Sequence, residues 1–343
     1  MNLKYQFDLD DDYNDMFADR QERRVRKQKG KHTPKKTQAQ IVESLAEPDA
    51  LEGDTPYKTT YQPSRYESTW LLQSLTDFYR QEFITDVLAM VRGGKEASVY
   101  RCAARPAHGV DLLAAKVYRP RQFRQLRNDK MYREGRAILR ADGKEAKETD
   151  HRLMRAIGKK SDFGVQVEHT SWLMYEYNTL NQLYAIGAAV PKPYAVAENA
   201  ILMGYIGDEE MAAPTLSTVE LERDEAHELF KETMRNIKLM LLHGMIHGDL
   251  SAYNILYWEG KITLIDFPQV TSSHGNSQSH FILKRDVERV CTYFASQGVR
   301  EAENADVIAQ RLWKQHIEPD AQIRAADLSR IEAARDAEKE YGD

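Results

Sequence analysis

The sequence predicts an α+β fold with two lobes, a small antiparallel sheet followed by a mainly helical region. Short apolar runs in the first half alternate with Gly- and Pro-containing turns, a pattern typical of hairpins. In the second half, apolar residues recur at helical spacing over long segments. The 343 residues are 42% hydrophobic, which is enough for one large core or for two lobes that share a cleft.

Residues 1–64 differ in composition from the rest and are predicted to be a disordered, charged extension. Acids cluster first, and residues 20–36 then hold nine Lys or Arg against one acid. Such a segment has too few apolar residues to compensate for the entropy lost on ordering. The basic run is also typical of an electrostatic arm for RNA. A solvated tail has the same composition and is the favoured interpretation.

The first lobe is predicted to span residues 65–207, beginning with an amphipathic helix from Tyr66. Its helically spaced apolar positions are Trp70, Leu71, Leu75, Phe78 and Tyr79. Three apolar runs then predict strands at Val87–Val91, Ser98–Cys102 and Leu112–Tyr118. The next segment, 119–160, holds fourteen Lys or Arg against six acids. It is predicted to be partly helical, within a flexible insert that covers residues 119–171.

A second helix is predicted at Trp172–Gly187, and two prolines at 191 and 193 end it. Strands at Tyr194–Ala197 and Ile201–Ile206 complete the first lobe.

The second lobe, residues 208–343, is predicted to be mainly helical. A helix at Asp224–His243 precedes two strands, Asn254–Trp258 and Lys261–Asp266, which a Glu-Gly turn joins into a hairpin. Three further helices are predicted at residues 281–297, 300–316 and 325–339.

The strongest chemical signal is the segment His247-Gly248-Asp249, with Asn254 five residues after the aspartate. Asp249 can accept the proton of an attacking hydroxyl, and the amide oxygen of Asn254 can bind a metal ion. Asp266 lies at the end of the predicted hairpin, which folds it back beside Asn254. Two hard oxygen ligands then meet at one point, an arrangement that suits Mg²⁺ bridging the phosphates of ATP.

A lysine within an apolar strand is the second signal. Lys116 has Ala114 and Tyr118 at alternate positions, so it is expected to face the cleft. Glu176, within the predicted Trp172–Gly187 helix, is the candidate partner, because a strand lysine and a helix glutamate pair in this way in protein kinases. Taken alone, Glu176 would be interpreted as a solvated helix acid.

The third signal is a glycine-containing turn between two strands, Gly93–Tyr100. Glycine lets the backbone approach phosphates closely. The turn matches neither the G-x-G-x-x-G nor the Walker pattern, and by itself it is an ordinary hairpin turn.

Together these segments resemble the RIO kinases, atypical serine/threonine protein kinases, with the type-1 branch most similar. The resemblance covers roughly residues 66–297. It rests on Gly94–Tyr100, Ala115–Tyr118, Ile206–Pro214, His247–Asn254 and Ile265-Asp266. The resemblance implies a two-lobed protein-kinase-like fold with a sheet-containing N-lobe and a helical C-lobe. It also implies the use of ATP with Mg²⁺, for which Mn²⁺ could substitute.

The resemblance further implies roles for individual residues. Asp249 would be the catalytic aspartate, and Asn254 and Asp266 would bind the metal ion. Asp266 would also accept phosphate and form an aspartyl-phosphate. The residues implied to bind ATP are Gly94, Lys95, Ser98, Val99, Lys116, Glu176, Met203 as gatekeeper, Tyr205 and Ile206.

The chain departs from the family pattern in several places. The insert at 119–171 matches poorly and looks long, so no autophosphorylation site is assigned there. Residues 1–64 and 298–343 match no family segment. Only about fifteen residues separate Asp266 from the next predicted helix, and no A-P-E motif follows. This favours an unusual substrate, self-phosphorylation or ATPase-driven switching.

Two other functions fit parts of the pattern. Small-molecule kinases of the aminoglycoside-phosphotransferase or choline-kinase type also resemble the loop at 247–254 and the Ile-Asp-Phe segment. A nucleotide-switched factor that binds RNA or a ribosomal subunit would use the basic segments 20–36 and 119–160. A role in small-ribosomal-subunit assembly is a suggestion drawn from the family resemblance.

From its bulk properties, we expect the protein to be cytoplasmic and to have no membrane partner. The net charge is only −5, and no apolar run approaches the length of a membrane span. The two cysteines, Cys102 and Cys291, have no neighbours at metal-ligand spacing. A disulfide framework or zinc site is therefore not expected.

Overall fold

A computed structural model of the protein describes residues 59–319, apart from 95, 120–133, 135, 137, 141–142, 147–149 and 160. All described residues belong to the second of the chain's two units, Gly53–Asp343. The basic segment 20–36, Lys95 and the predicted helix at 325–339 lie outside the described residues, as does much of segment 119–160.

The first lobe is a five-stranded antiparallel sheet preceded by helix α1, Arg65–Arg80. The strands are β1 (Ile84–Gly93), β2 (Ala97–Ala104), β3 (Leu112–Tyr118), β4 (Pro193–Val196) and β5 (Ala200–Gly204), in the order β1-β2-β3-β5-β4. The apolar face of α1 buries Leu71, Leu75 and Phe78 in a core with one face of the sheet. The predicted strand at Ile201–Ile206 is two residues too long, because β5 ends at Gly204.

The predicted extension at 1–64 is also too long. The N–H of Tyr61 donates to the Val87 carbonyl at 2.8 Å, and the N–H of Thr60 donates to Asp86 at 2.8 Å. Residues 60 and 61 are therefore hydrogen-bonded to β1 and belong to the first lobe.

Among the described residues between β3 and β4 are two α-helices, α2 (His151–Gly158) and α3 (Asp162–Ala185). Helix α3 begins ten residues before the predicted Trp172, where the hydroxyl of Ser161 accepts the N–H of Gly164 at 3.2 Å. Part of the predicted flexible insert is thus helical. A Cβ on Gly164 would lie 2.1 Å from the Ala156 carbonyl oxygen, so only glycine allows α2 and α3 to approach this closely.

The described part of the second lobe contains three α-helices, several short 3₁₀ segments and two two-stranded sheets. The helices are α4 (Arg223–Leu242), α5 (Ser279–Ser296) and α6 (Ala305–His316). The strands are β6 (Met245–Ile246), β7 (Ile255–Trp258), β8 (Lys261–Leu264) and β9 (Thr271–Ser272); β6 pairs with β9, and β7 pairs with β8. The predicted single helix at 300–316 is instead a 3₁₀ segment, Arg300–Asn304, followed by α6.

Strand β8 ends at Leu264, so Asp266 does not end a strand as predicted. Its φ is +71°, a conformation that β structure excludes and that non-glycine residues seldom adopt. The chain turns sharply at this aspartate. Apart from these boundaries, the α+β fold with a sheet-containing N-lobe and a helical C-lobe is confirmed.

Candidate active site

An ion-pair cluster lies on the cleft face of the first-lobe sheet. The ammonium of Lys116 lies 2.7 Å from Glu176 Oε1 and 2.5 Å from Asp266 Oδ1. Strand β3, helix α3 and the turn after β8 each contribute one of these residues. The sequence had predicted the strand–helix pair, and the structure adds the direct contact with the distant aspartate.

The cluster holds one cation against two carboxylates. Burial disfavours the charge on Lys116, but the two carboxylates outweigh burial and raise the pKa of its ammonium well above the usual value. Burial would likewise raise the pKa of Asp266, yet Lys116 holds it below its ordinary range. Lys116 and Asp266 are therefore both ionised at neutral pH.

Residues 247–254 form a loop beneath this cluster. Gly248 has φ +84°, and a Cβ there would lie 2.2 Å from the Gln269 carbonyl oxygen, so the position requires glycine. The amide nitrogen of Asn254 donates to the Asp249 carbonyl at 2.8 Å and to its Oδ2 at 3.2 Å. The Ile265 N–H donates to the Asn254 carbonyl at 3.0 Å. This backbone contact confirms that the β7–β8 hairpin returns the chain to Asn254 one residue before Asp266.

Helix α5 supports the loop through residues that the sequence reasoning missed. Buried Asp286 accepts the Gly248 N–H at 2.7 Å, and Arg285 donates to the Gly248 carbonyl. Arg289, one helical turn further along, donates to Asp249 Oδ1 at 2.9 Å. The only sequence signal for this set is its spacing on one helix, Arg-Asp-x-x-Arg, which many surface helices share.

The predicted ATP-binding residues of the sheet do not all face the cluster. Val99 pairs with Lys116 across β2 and β3, and Met203 pairs with Ala114 across β5 and β3. Paired residues share a sheet face, so both lie on the side of Lys116. Ser98 instead pairs with Val117, and its side chain is buried on the opposite face. Nucleotide binding by Ser98 stays a prediction, and its buried side chain does not share the sheet face of Lys116.

The remaining predicted nucleotide contacts lie at the two ends of the cleft. Gly94 donates its N–H to the Ala97 carbonyl at 2.9 Å in the β1–β2 turn. Tyr205 and Ile206 follow β5 directly, and the Ile206 carbonyl accepts the Ala213 N–H at 3.0 Å. Tyr205 and Ile206 thus lie directly after the sheet of the first lobe, and their contact with the nucleotide stays a prediction.

The described part of the insert also reaches this region. Arg136 lies over the ring of Tyr175, 4.3 Å from its centre, next to Glu176 on α3. The same guanidinium donates to the Val270 carbonyl at 2.6 Å, in the segment after Asp266. Arg136 thus links the helix that carries Glu176 to the loop that carries Asp266.

The fold and the site together define a protein of the protein-kinase-like class, with a strand lysine, a helix glutamate and a catalytic-type loop around one cleft. The family model described as the RIO domain matches residues 99–307. The chain therefore belongs to the RIO family, which confirms the resemblance seen in the sequence. The match ends at residue 307, so residues 298–307 were wrongly placed outside the family pattern.

Curated relatives carry names that agree with this assignment. The RIO-type serine/threonine-protein kinase Rio1 of Haloferax volcanii is 34% identical over 129 residues, which are 37% of this chain and 43% of the relative. Rio2 of Methanocaldococcus jannaschii, also named a RIO-type serine/threonine-protein kinase, is 33% identical over 50% of this chain and 67% of the relative. The serine/threonine-protein kinase RIO1 of Chaetomium thermophilum is 26% identical over 66% of this chain and 42% of the relative. The matches thus span about two fifths to two thirds of these relatives.

Within the part of the chain that the structure describes, none of the helices is both long and apolar enough to cross a bilayer.

Proposed function

We propose that this chain transfers the γ-phosphate of ATP, with Mg²⁺, as an atypical RIO-type serine/threonine protein kinase and ATPase. The observation that carries the proposal is the simultaneous contact of Lys116 with Glu176 and Asp266. A strand lysine placed in this way can hold the non-transferred phosphates next to the metal-binding aspartate. The names of the relatives support the same class of reaction.

The residues present fit a magnesium ion. Asn254 directs its amide nitrogen toward Asp249, which leaves its amide oxygen for a metal. Asp266 uses Oδ1 for Lys116, and its side chain is 40% exposed. In the Lys116 cluster two carboxyl groups contact a single ammonium, and a surplus of acidic oxygens favours a divalent cation. Asn254 and Asp266 would hold the ion, which would neutralise charge on the phosphate oxygens.

The protein's own contribution is mainly positioning and electrostatics. Lys116 binds the phosphates that are not transferred, and Glu176 fixes its ammonium. Asp249 orients the acceptor hydroxyl and receives its proton. Val99 and Met203 would contact the nucleotide, a role supported by their position on the same sheet face as Lys116. Such preorganised groups supply most of the catalysis in phosphoryl transfer.

Asp266 is also the proposed phosphate acceptor in an ATPase cycle. Its carboxylate would attack the γ-phosphorus as ADP leaves, and water would then hydrolyse the aspartyl-phosphate. The low pKa of Asp266 keeps the attacking group ionised at neutral pH. The protein substrate, and a link to small-ribosomal-subunit assembly through segments 20–36 and 119–160, stay predictions from the sequence.

The test uses ATP labelled on the γ-phosphate, Mg²⁺ and the full-length protein. Wild type is compared with Asp249→Ala and Asp266→Asn, and each product is treated with hydroxylamine, which cleaves acyl phosphates. We expect Asp266→Asn to abolish turnover, and Asp249→Ala to keep nucleotide binding while losing transfer to hydroxyls.

Hydroxylamine-labile label that disappears in Asp266→Asn would support the aspartyl-phosphate cycle. Stable label alone would support direct transfer to a hydroxyl. Consumption of ATP only after an amino-sugar or amino-alcohol is added would favour the small-molecule kinases instead. Wild-type protein that neither binds nor turns over Mg-ATP would contradict the whole proposal.

A further inference from the structure

Helix α5 presents three polar side chains to the loop at 247–254. Arg285, Asp286 and Arg289 stand at positions i, i+1 and i+4, so they lie on neighbouring parts of one helical face. Arg285 and Asp286 contact the backbone of Gly248. Arg289 differs from both, because it contacts the side chain of Asp249.

The carboxylate of Asp249 is held at both oxygens. Arg289 Nη1 lies 2.9 Å from Oδ1, and Asn254 Nδ2 lies 3.2 Å from Oδ2. The two donors come from different elements, α5 and the loop itself. An ionised carboxylate can accept about four hydrogen bonds, so these two contacts leave room for an acceptor hydroxyl.

The Asp249 carboxylate needs groups that fix its orientation, because it is partly exposed to solvent. Its side chain is 40% exposed, and that of Arg289 is 32% exposed, so the pair faces solvent where an acceptor must approach. The final torsion of an aspartate side chain is broad and weakly restricted by its own rotamers. A misplacement of about 1 Å in a reacting group can lower a rate roughly 100-fold.

We propose that Arg289 is a positioning residue for phosphoryl transfer to hydroxyl groups. Together with Asn254, it fixes the Asp249 carboxylate in the orientation that receives the proton of the acceptor. The inference rests on the proposed function and adds a specific residue from outside the loop. Arg289 acts only through Asp249. The Lys116 cluster binds Mg-ATP, and Arg289 takes no part in that binding.

The test compares Arg289→Gln and Arg289→Lys with wild type. The readouts are hydroxylamine-stable label on the chain or on dephosphorylated casein, and Mg-ATP affinity by calorimetry. We expect Arg289→Gln to lower kcat for hydroxyl transfer about 10- to 100-fold, while the affinity for Mg-ATP changes less than about twofold. Arg289→Lys keeps a charged donor and should recover part of the rate.

Arg235 supplies a matched control. It lies on α4 and pairs with Glu232 at 2.6 Å, so Arg235→Gln also removes an arginine–carboxylate pair from a helix. We expect this variant to keep the wild-type transfer rate. A loss equal to that of Arg289→Gln would mean that Arg289 acts only through general stability, and would overturn the proposal.

A double variant separates positioning from direct contact with the substrate. If Arg289 acts through Asp249, Arg289→Gln should add no further loss to Asp249→Ala. A further multiplicative loss would show that Arg289 touches the phosphate or acceptor itself, which contradicts the proposed role. A wild type that hydrolyses ATP but gives no hydroxylamine-stable label would also overturn it, while leaving the ATPase function standing.

Discussion

At the scale of single residues, Glu176 is held by two side chains of the same strand. Lys116 contacts Oε1, and the hydroxyl of Tyr118 donates to Oε2. The ring of Tyr118 also packs edge-on against Trp172, one helical turn before Glu176, with ring centres 4.7 Å apart. Burial and the neighbouring carboxylate raise the pKa of the Tyr118 hydroxyl, so it stays a proton donor at all physiological pH values.

Replacing Tyr118 by Phe should lower kcat/KM for ATP about tenfold, since Glu176 loses one of its two anchors while the ring packing is kept. A buried hydrogen bond to a charged group is worth about 1.5–3 kcal/mol, so the free energy of unfolding should fall as well. Steady-state kinetics and denaturant unfolding measure the two effects.

Tyr100→Phe is the matched control for this prediction. Tyr100 is equally buried in the same sheet, and its hydroxyl donates to Glu67 at 2.5 Å, on the face away from the cleft. It should lose comparable stability and keep the wild-type kcat/KM. Equal kinetic losses in both variants would show that Tyr118 has no specific effect on the site.

Residues whose roles follow from local spacing could be predicted from the sequence. The loop from Asp249 to Asn254 places two functional groups within six positions, and Lys116 stands out as a charge within an apolar strand. Asp286 and Arg289 could not be predicted, because α5 reaches the loop only through the folding of the chain. The sequence also did not indicate which predicted residues of β2 share the face of Lys116, because strand alternation sends Ser98 and Val99 to opposite faces.

At the scale of elements, α5 is the main support of the loop. Burial raises the pKa of Asp286 above its ordinary value, although Arg285 and the Gly248 N–H act in the opposite direction. A buried carboxylate with these partners fixes the backbone on the N-terminal side of Asp249.

Asp286→Ala should therefore cost about 1–3 kcal/mol, because the Gly248 N–H is left buried without its acceptor. Transfer to hydroxyls should fall more than Mg-ATP affinity, since the loop moves while the Lys116 cluster stays. Thermal unfolding and the labelled-ATP assay measure these effects. Unchanged stability together with unchanged transfer would contradict the supporting role of α5.

Helix α1 stabilises the first lobe through one face. Leu75 is fully buried, whereas its neighbour on the helix, Leu72, is only partly buried. Leu75→Ala should cost about 2–5 kcal/mol in unfolding free energy, as large-to-small changes in cores do. Leu72→Ala should lower the unfolding free energy clearly less. Chemical denaturation of the two variants measures both changes. Similar losses would mean that α1 is not anchored by this face.

Helix α3 shows why element boundaries are harder to predict than elements. Its predicted part, from Trp172, has buried apolar residues at regular spacing, such as Leu173, Leu180 and Leu183. Residues 162–171 lack this pattern, so nothing in the periodicity indicated a helix. They are helical because Ser161 caps the start and α2 packs against Gly164.

At the scale of the whole described unit, the larger core joins residues of both lobes. Tyr118, Trp172 and Ile201 of the first lobe belong to the same buried cluster as Ile246 and Leu264 of the second. The smaller core lies between α1 and the sheet. The lobes are thus continuous beneath the cleft, and nucleotide bound there should stabilise both.

Mg-ATP at about 100 times its dissociation constant should raise the unfolding free energy by about 2.7 kcal/mol. Lys116→Met should abolish this increase, because the phosphates lose their cation. The variant should also be less stable without nucleotide, since Glu176 and Asp266 lose their shared partner. Thermal unfolding with and without Mg-ATP measures both effects, and an undiminished shift in Lys116→Met would contradict the assigned site.

The length of α3 has a mechanical consequence. Glu176 lies twelve residues beyond Gly164, where α2 packs against the helix. At a rise of 1.5 Å per residue this is an arm of about 18 Å. A tilt of roughly 3° about the Gly164 contact would move Glu176 by about 1 Å, a displacement that can change a phosphoryl-transfer rate 100-fold. A change that tilts α3 at this contact would therefore alter the position of Glu176 without touching the nucleotide.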